Sequence, residues 1–288
     1  MIKLDIDGLK TWIGRSEMRE DSLVAAPVDR LSATLDHPSS LAGPAGVLPP
    51  CWHWLYFHHA ERISGLGADG HPKRGGFLPP VPLPRRMWAS SRVTFLSPLM
   101  LGDTARRHST IIDVRQRLGG SGALVFVTLK HEIFARDKLV IEEIQDLVYR
   151  GRDITSGRTL PAPDDGQWHR KITPDSVMLF RYSALTFNSH RIHFDRDYAT
   201  AEEGYSSLVV QGPLTATLLL DLLRRQLPTV TLACFEFRAV APVLEGSDLT
   251  LRGRRDGELI TLWASDAQGN LTMEARARVA INQSGAGD

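Results

Sequence analysis

Apolar and polar residues alternate along this chain in two separate batches, and period-two alternation is the signature of half-buried strands. In the first batch RVTFLSPLMLGD, Arg92 to Asp103, leads into alternating stretches at His108 to Arg115 and Leu124 to Phe134, with Gly119, Gly120 and Gly122 as the turn. In the second, FEFRAVAPVLEGSD, Phe235 to Asp248, leads into Leu249 to Arg254, Leu259 to Ala264 and Leu271 to Ile281. Asp256-Gly257 and Gln268-Gly269-Asn270 supply its turns. Pro98 and Gly102 recur as Pro242 and Gly246, so the wording repeats. Upstream of each batch lies a helix candidate: Trp52 to Ile63 in the first copy and Pro213 to Gln226 in the second. The latter is apolar on all sides, which implies deep burial. Residues 151–167, rich in Gly, Pro, Asp and Ser, read as a linker between an N-terminal module, 1–150, and a C-terminal module, 168–288.

Length and composition narrow the class. A chain of 288 residues with 42% hydrophobic content suits two modules sharing a core. A net charge of +1 gives no basic field for nucleic acid or an anionic membrane, so any anion site must be local. The most apolar run, Leu214 to Leu223, is interrupted by Asp221 and is far short of a membrane span. Two cysteines, Cys51 and Cys234, make neither a disulfide framework nor a zinc spacing. That favours a reducing, cytoplasmic setting. The opening MIKLDIDGLKTWIG lacks both a signal-peptide core and an Arg-rich transit pattern.

The candidate chemistry is concentrated in FRYSALTFNSHRIHFD, Phe180 to Asp195, where Asn188 to His193 hold an amide, two imidazoles and a guanidinium in six residues. Such a run is poor core and poor linker, and it reads as a polar site at the end of a buried element. On residue type alone, His193 reads as a histidine satisfied in a structural network. The groups His190-x-x-His193-x-Asp195 and His53, His58, His59, Glu61 contain metal-ligand types without an established zinc spacing, so no metal is expected. Cys51 reads as a buried structural thiol.

This run resembles the hydratase 2 signature of MaoC-like hotdog-fold enzymes, Ser-Gly-Asp-x-Asn-Pro-(Leu or Ile)-His-x-Asp. Thr186, Phe187 and Asn188 fall on Ser-Gly-Asp, and His190 falls on Asn. Arg191 falls on Pro, Ile192 on the aliphatic residue, His193 on the catalytic His and Asp195 on the final Asp. With GGFLPPVPLPRRMWA, Gly75 to Ala89, the wording is similar to a subgroup of this family. That subgroup holds itaconyl-CoA and mesaconyl-C4-CoA (3-methylfumaryl-CoA) hydratases and the yeast-type mitochondrial hydroxyacyl-thioester dehydratases.

The resemblance implies an α+β double hotdog, in which each module wraps an antiparallel sheet around a long central helix. It further implies a hydro-lyase adding water to a short branched dicarboxylic enoyl-CoA to give citramalyl-CoA, as in itaconate degradation. No metal or redox cofactor is implied, coenzyme A being part of the substrate, and a homo-oligomer, a dimer first, is expected. His193 becomes the acid and base. Asn188 stands in place of a water-activating Asp and, unable to act as a base itself, would orient water through its carbonyl oxygen. His190 would assist. Gln211-Gly212-Pro213 opens the second helix where the family has an oxyanion-binding Gly, and a helix N-terminus does present free N–H groups to an anion. Lys73, Arg74, Arg85 and Arg86 either clamp the phosphates of coenzyme A or form a solvated basic loop. Arg191 and Arg181 either meet a free carboxylate on the acyl group or neutralise Asp195 and Asp197. The rival readings are a dehydratase of fatty-acid synthesis, a hotdog thioesterase and a catalytically silent thioester-binding protein.

Overall fold

The computed structural model describes residues 4–43, 46–119, 122–151 and 159–280. Gly120 of the expected first turn, linker residues 152–158 and the last strand's Ile281 lie outside them. The described residues form one ten-stranded sheet, with every neighbouring pair antiparallel. Five strands come from the first half: β1 (Ser16–Ser22), β2 (Arg85–Phe95), β3 (Thr104–Gly119), β4 (Gly122–Ala135) and β5 (Lys138–Arg150). Five come from the second: β6 (Trp168–Ile172), β7 (Leu232–Ala239), β8 (Leu249–Asp256), β9 (Leu259–Ser265) and β10 (Leu271–Val279). The order β1-β3-β4-β5-β2-β7-β10-β9-β8-β6 reads the same from either edge when each half is numbered from its own first strand.

The repeat extends to backbone detail. Gly102 and Gly246 both take positive φ, +90° and +76°, after β2 and β7. Leu48 N donates to Leu99 O and Val210 N to Val243 O, each at 2.8 Å, so both chains enter the next segment from the same place. Helices α2 (Ala25–Thr34) and α3 (Ser176–Leu185) occupy matching positions and are each followed by a left-handed residue, Asp36 and Phe187. The short α1 (Ile6–Lys10) precedes β1 and packs on β3.

The copies then diverge. In the second, α4 (Gly212–Gln226) is buried at every residue from Leu214 to Leu223 and packs against β6, β8, β9 and β10. Asp221 is tolerated inside because His37 (2.6 Å), Arg170 (2.5 Å) and Arg225 (2.9 Å) surround it, and a buried carboxylate needs such partners. In the first copy the expected helix over Trp52 to Ile63 does not form. A single 3-10 turn, Trp52–Leu55, is bracketed by left-handed Cys51 (φ 66°) and Phe57 (φ 62°), conformations no α-helix accommodates. His53 and Trp54 turn to the buried carboxylate of Glu143 at 2.9 and 3.1 Å. The chain released by the missing helix, up to β2, runs instead across the mouth of the second half.

Gly102 and Gly246 have no neighbour within 4 Å of a would-be Cβ, so substitution there tests backbone strain without a clash. Gly102→Ala and Gly246→Ala should each lose about 1–2 kcal/mol in urea unfolding, by similar amounts because the two turns are equivalent.

Candidate active site

The polar motif follows α3 directly. Asp175 caps α3 by accepting from Met178 N at 2.8 Å, and the helix buries Leu179, Tyr182 and Ser183. Left-handed Phe187 then ends it and swings the following residues into a cavity of about 730 Å³ beneath the sheet. Asn188, His190 and His193 line this cavity together with Gln211 and Gly212 at the start of α4. The sequence motif and the helix opening thus converge.

Local bonds fix what each group offers. His193 Nδ1 lies 2.6 Å from Val209 O, and since a carbonyl can only accept, Nδ1 carries the proton and Nε2 keeps a lone pair. Burial pushes the His193 pKa down to about 4, only partly opposed by that bond, so the ring is a neutral base at pH 7. Asn188 differs from expectation. Its Oδ1 accepts from His190 N at 3.1 Å, closing the turn, so part of the carbonyl's accepting capacity is already used by the backbone. Gln211 donates to Leu179 O (3.0 Å) and Ser183 Oγ (2.8 Å), tying α4 to α3. Gly212 N–H has no acceptor among the described residues, and Pro213 brings none of its own to compete for an anion.

The cationic candidates separate. Arg191 is committed to Asp195 (2.7 and 2.9 Å) and to Ala68 O (3.0 Å), with its guanidinium 4.2 Å from the Tyr198 ring centroid. It does not line the cavity. Arg181 lies on the exposed side of α3 beside Phe180, away from the cavity. Arg85 is 5% exposed, paired with Glu203 at 2.6 Å and stacked on Tyr205, which removes it from any phosphate clamp. Arg74 lines the cavity but spends its donors on Val81 O (2.5 Å) and Pro84 O (2.6 Å), bracing its own loop. Lys73, exposed at the rim, donates to Ser64 O at 2.8 Å. Arg86 lines the cavity and makes no hydrogen bond or ion pair with another described residue.

The first half contributes a second set of groups absent from the sequence reading. Its loop 65–73 is docked on the motif: Arg191 N donates to Asp69 O (2.9 Å) and Ser189 Oγ to Gly70 O (2.6 Å). This delivers His71, whose Nδ1 lies 3.2 Å from Asp69 Oδ2, against His190, with ring centroids 4.0 Å apart. His190 in turn sits 5.3 Å from His193. Burial, then the charge of Arg86, lowers the His71 pKa to about 4 against the pull of Asp69. His190 is pushed strongly down by burial and by His71, His193 and Arg86. Ligand atoms of Asp69, His71 and His190 lie within 4.8 Å of one another, but the positive charge of Arg86 acts against a cation there. The short spacing Asp69-x-His71 beside the Gly/Pro loop was the available signal. Deeper in, Glu143 is 3% exposed: burial raises its pKa, yet bonds from His53 and Ser91 outweigh it and hold the group ionised at about 2. The remaining histidines disperse, His58 to Trp54 O and His59 to Glu61. Cys51 is buried, and burial raises its thiol pKa well above the usual value.

Comparison with known proteins follows this geometry. The chain superposes on the MaoC-like dehydratase of Phytophthora capsici with a TM-score of 0.72 at 12% identity, over 98% of this chain and 100% of that one. It also superposes on a conserved hypothetical protein of Mycobacterium tuberculosis with a double hotdog fold, with a TM-score of 0.58 at 15% identity over 93% and 96%. The architecture is therefore that of the double hotdog proteins. Residues 51–245 match the model of the hydroxyacyl-thioester dehydratase type 2 family, and the chain belongs to that family. It is 44% identical over 271 residues to the mesaconyl-C(4)-CoA hydratase of Chloroflexus aurantiacus, covering 92% of this chain and 95% of that protein. Its class is the hydro-lyases.

Two outcomes test this geometry. At Gly70 (φ +85°) a Cβ would lie 1.9 Å from Ser189 O, so Gly70→Ala should push the loop off the motif. It should cost about 10²-fold in turnover of an enoyl thioester, as misplaced reactive groups do. The acid limb of turnover should fall near pH 4, where His193 protonates, instead of near 6.5. Stability should fall over the same range. Unfolded imidazoles take up protons near pH 6.5 while His71, His131 and His193 resist until about 4, so acid favours the unfolded chain. Denaturant midpoints at pH 7 and pH 5 will show it.

Proposed function

We propose that this enzyme is an acyl-CoA hydratase acting on mesaconyl-C4-CoA, itaconyl-CoA or both to give citramalyl-CoA. The observation that carries the reading is the locked tautomer of His193, which leaves one free lone pair facing the cavity beside a helix N-terminus. In this reading His193 Nε2 takes a proton from water as its oxygen bonds to the β-carbon. The electrons of the double bond move into an enolate held by Gly212 N–H. The proton on Nε2 then passes to the α-carbon. The N–H group of Asn188 steadies the oxygen of water or product, a role in which an amide serves and a carboxylate would not. Itaconyl-CoA, with its double bond one carbon further along, would first lose an α proton to the same base.

The chemistry needs no cofactor besides the coenzyme A of the substrate. The chain's near-neutral charge and free cysteines suit a cytoplasmic enzyme of itaconate breakdown, and the described residues contain no helix long and apolar enough to cross a membrane. The modules 1–150 and 168–288, joined by 151–167, would act as one unit in a homodimer. A second reading, a 3-hydroxyacyl-thioester dehydratase of fatty-acid synthesis, is favoured by one observation: Trp54, Phe57, Met87 and Leu129 give the cavity an apolar wall in the first half, where no helix fills the space. A relative in Schizosaccharomyces pombe, 31% identical over 83% of this chain and 90% of its own, is a mitochondrial hydroxyacyl-thioester dehydratase type 2.

Turnover of enoyl-CoA thioesters with and without a free carboxylate separates the two, since preference for long straight chains would select the dehydratase. His193→Ala should lower hydration by at least the roughly 10² to 10⁴ typical of general acid–base catalysis, with an unchanged circular dichroism spectrum. Near-normal turnover by that folded variant would overturn the mechanism.

A further inference from the structure

Beside the motif, the cavity carries a positive charge that its own side chains do not neutralise. Its carboxylates are already engaged: Glu143 by His53, Trp54 and Ser91, Glu17 by Arg19 at 2.7 Å, and Glu61 by His59 at 2.9 Å. Asp69, just behind the lining, is bound to His71 through both its oxygens, Nδ1 at 3.2 Å and the backbone N–H at 3.0 Å. Most cavity guanidinium groups are engaged as well, Arg74 by loop carbonyls and Arg107 by Phe57 O at 3.1 Å. Arg86 and Arg150 are different: neither side chain has a hydrogen-bond or ion-pair partner among the described residues. Of the two, Arg86 is partly buried and stands near enough to His71, His190 and Asp69 for its charge to act on them.

The ring nitrogens of His190 likewise have no hydrogen-bond partner among the described residues, although the residue is only 8% exposed. An uncompensated guanidinium and a neutral, unpartnered imidazole therefore line the same cavity, and the imidazole packs on His71 at 4.0 Å and lies 5.3 Å from the His193 ring. Their nitrogens open onto the cavity, where a ligand can reach them, and a carboxylate is the group that accepts from both.

Resting on the hydratase reading, we propose that Arg86 and His190 bind the free carboxylate that the acyl group carries on its β-carbon, and so select dicarboxylic half-thioesters over simple enoyl thioesters. The β-carbon is the one water attacks. A receptor for its carboxylate must consequently stand next to the base, as this one does, and not at the far end of the acyl pocket. Gripping the carboxylate would hold the attacked carbon in register with His193 Nε2. Arg85, the preceding residue, cannot share this task because it is buried against Glu203.

The test compares wild type with Arg86→Met and Arg86→Lys on mesaconyl-C4-CoA and crotonyl-CoA, and on the pantetheine thioesters of the same acids. Arg86→Met should lower kcat/KM for the dicarboxylic substrate about 10- to 100-fold more than for crotonyl-CoA, the loss typical of a charge-assisted bond. The selective loss should persist in the pantetheine series, and Arg86→Lys should recover part of it. Equal loss on both acyl groups overturns the proposal. A loss confined to the CoA series also overturns it, by placing Arg86 on the nucleotide phosphates. Should Arg86→Met not fold, the wild type still decides: free methylfumarate should inhibit crotonyl-CoA hydration more strongly than free crotonate, and equal inhibition rejects the site. Wild-type indifference to dicarboxylic thioesters would reject the hydratase reading itself, whereas dicarboxylate preference unchanged in Arg86→Met rejects this assignment alone.

Discussion

Five antiparallel residue pairs between β2 and β7, from Ser90↔Arg238 to Thr94↔Cys234, join the two halves into one sheet. Everything at the site depends on that seam. It aligns the two halves so that the loop bearing Asp69 and His71 reaches the motif bearing His190 and His193. Ladder bonds are individually modest in net worth, but here they continue a sheet whose strands are already ordered, so little further entropy is lost in making them. The apolar core crosses the seam as well, with Val93 of β2 and Phe235 of β7 in one cluster.

Strand alternation and turn residues made most of the sheet legible. Pro98 with Gly102 and Pro242 with Gly246 marked the repeat because a positive-φ position after a strand is one that few residues but Gly fill. The second helix was equally plain, its Pro at the start and Leu-rich body being hard to read otherwise. The first helix was misread for a physical reason. Trp, Leu, Tyr and Phe over 52–57 suit the inside of a helix, but their burial is satisfied as well by one tight turn. Only the position of Glu143, 90 residues from His53, reveals that this turn exists to satisfy a carboxylate. Pattern along a chain does not report on such distant partners.

The site was half visible. His193, Asn188 and Gly212 stand together as the motif register implied, because they are close in sequence or open an obvious helix. The basic residues, for which the sequence left alternatives open, part company in the fold. Arg85 and Arg86 look like one feature in the sequence, yet neighbours on a strand point to opposite faces, and so one is buried against Glu203 and the other enters the cavity. Arg191 sits inside the motif but is four residues from Asp195, near enough along the chain to be neutralised locally. His71 was missed because the spacing Asp69-x-His71 gains meaning only through docking: Gly70 brings its backbone so close to Ser189 that no side chain fits between.

The missing first helix gives the two matching halves unequal duties. The second half kept its helix and with it a buried α4 whose N-terminus opens on the cavity. The first half has a 3-10 turn there, and the chain that follows it crosses to the other half. That chain forms a wall of the other half's cavity, so the site is complete only when both halves are present.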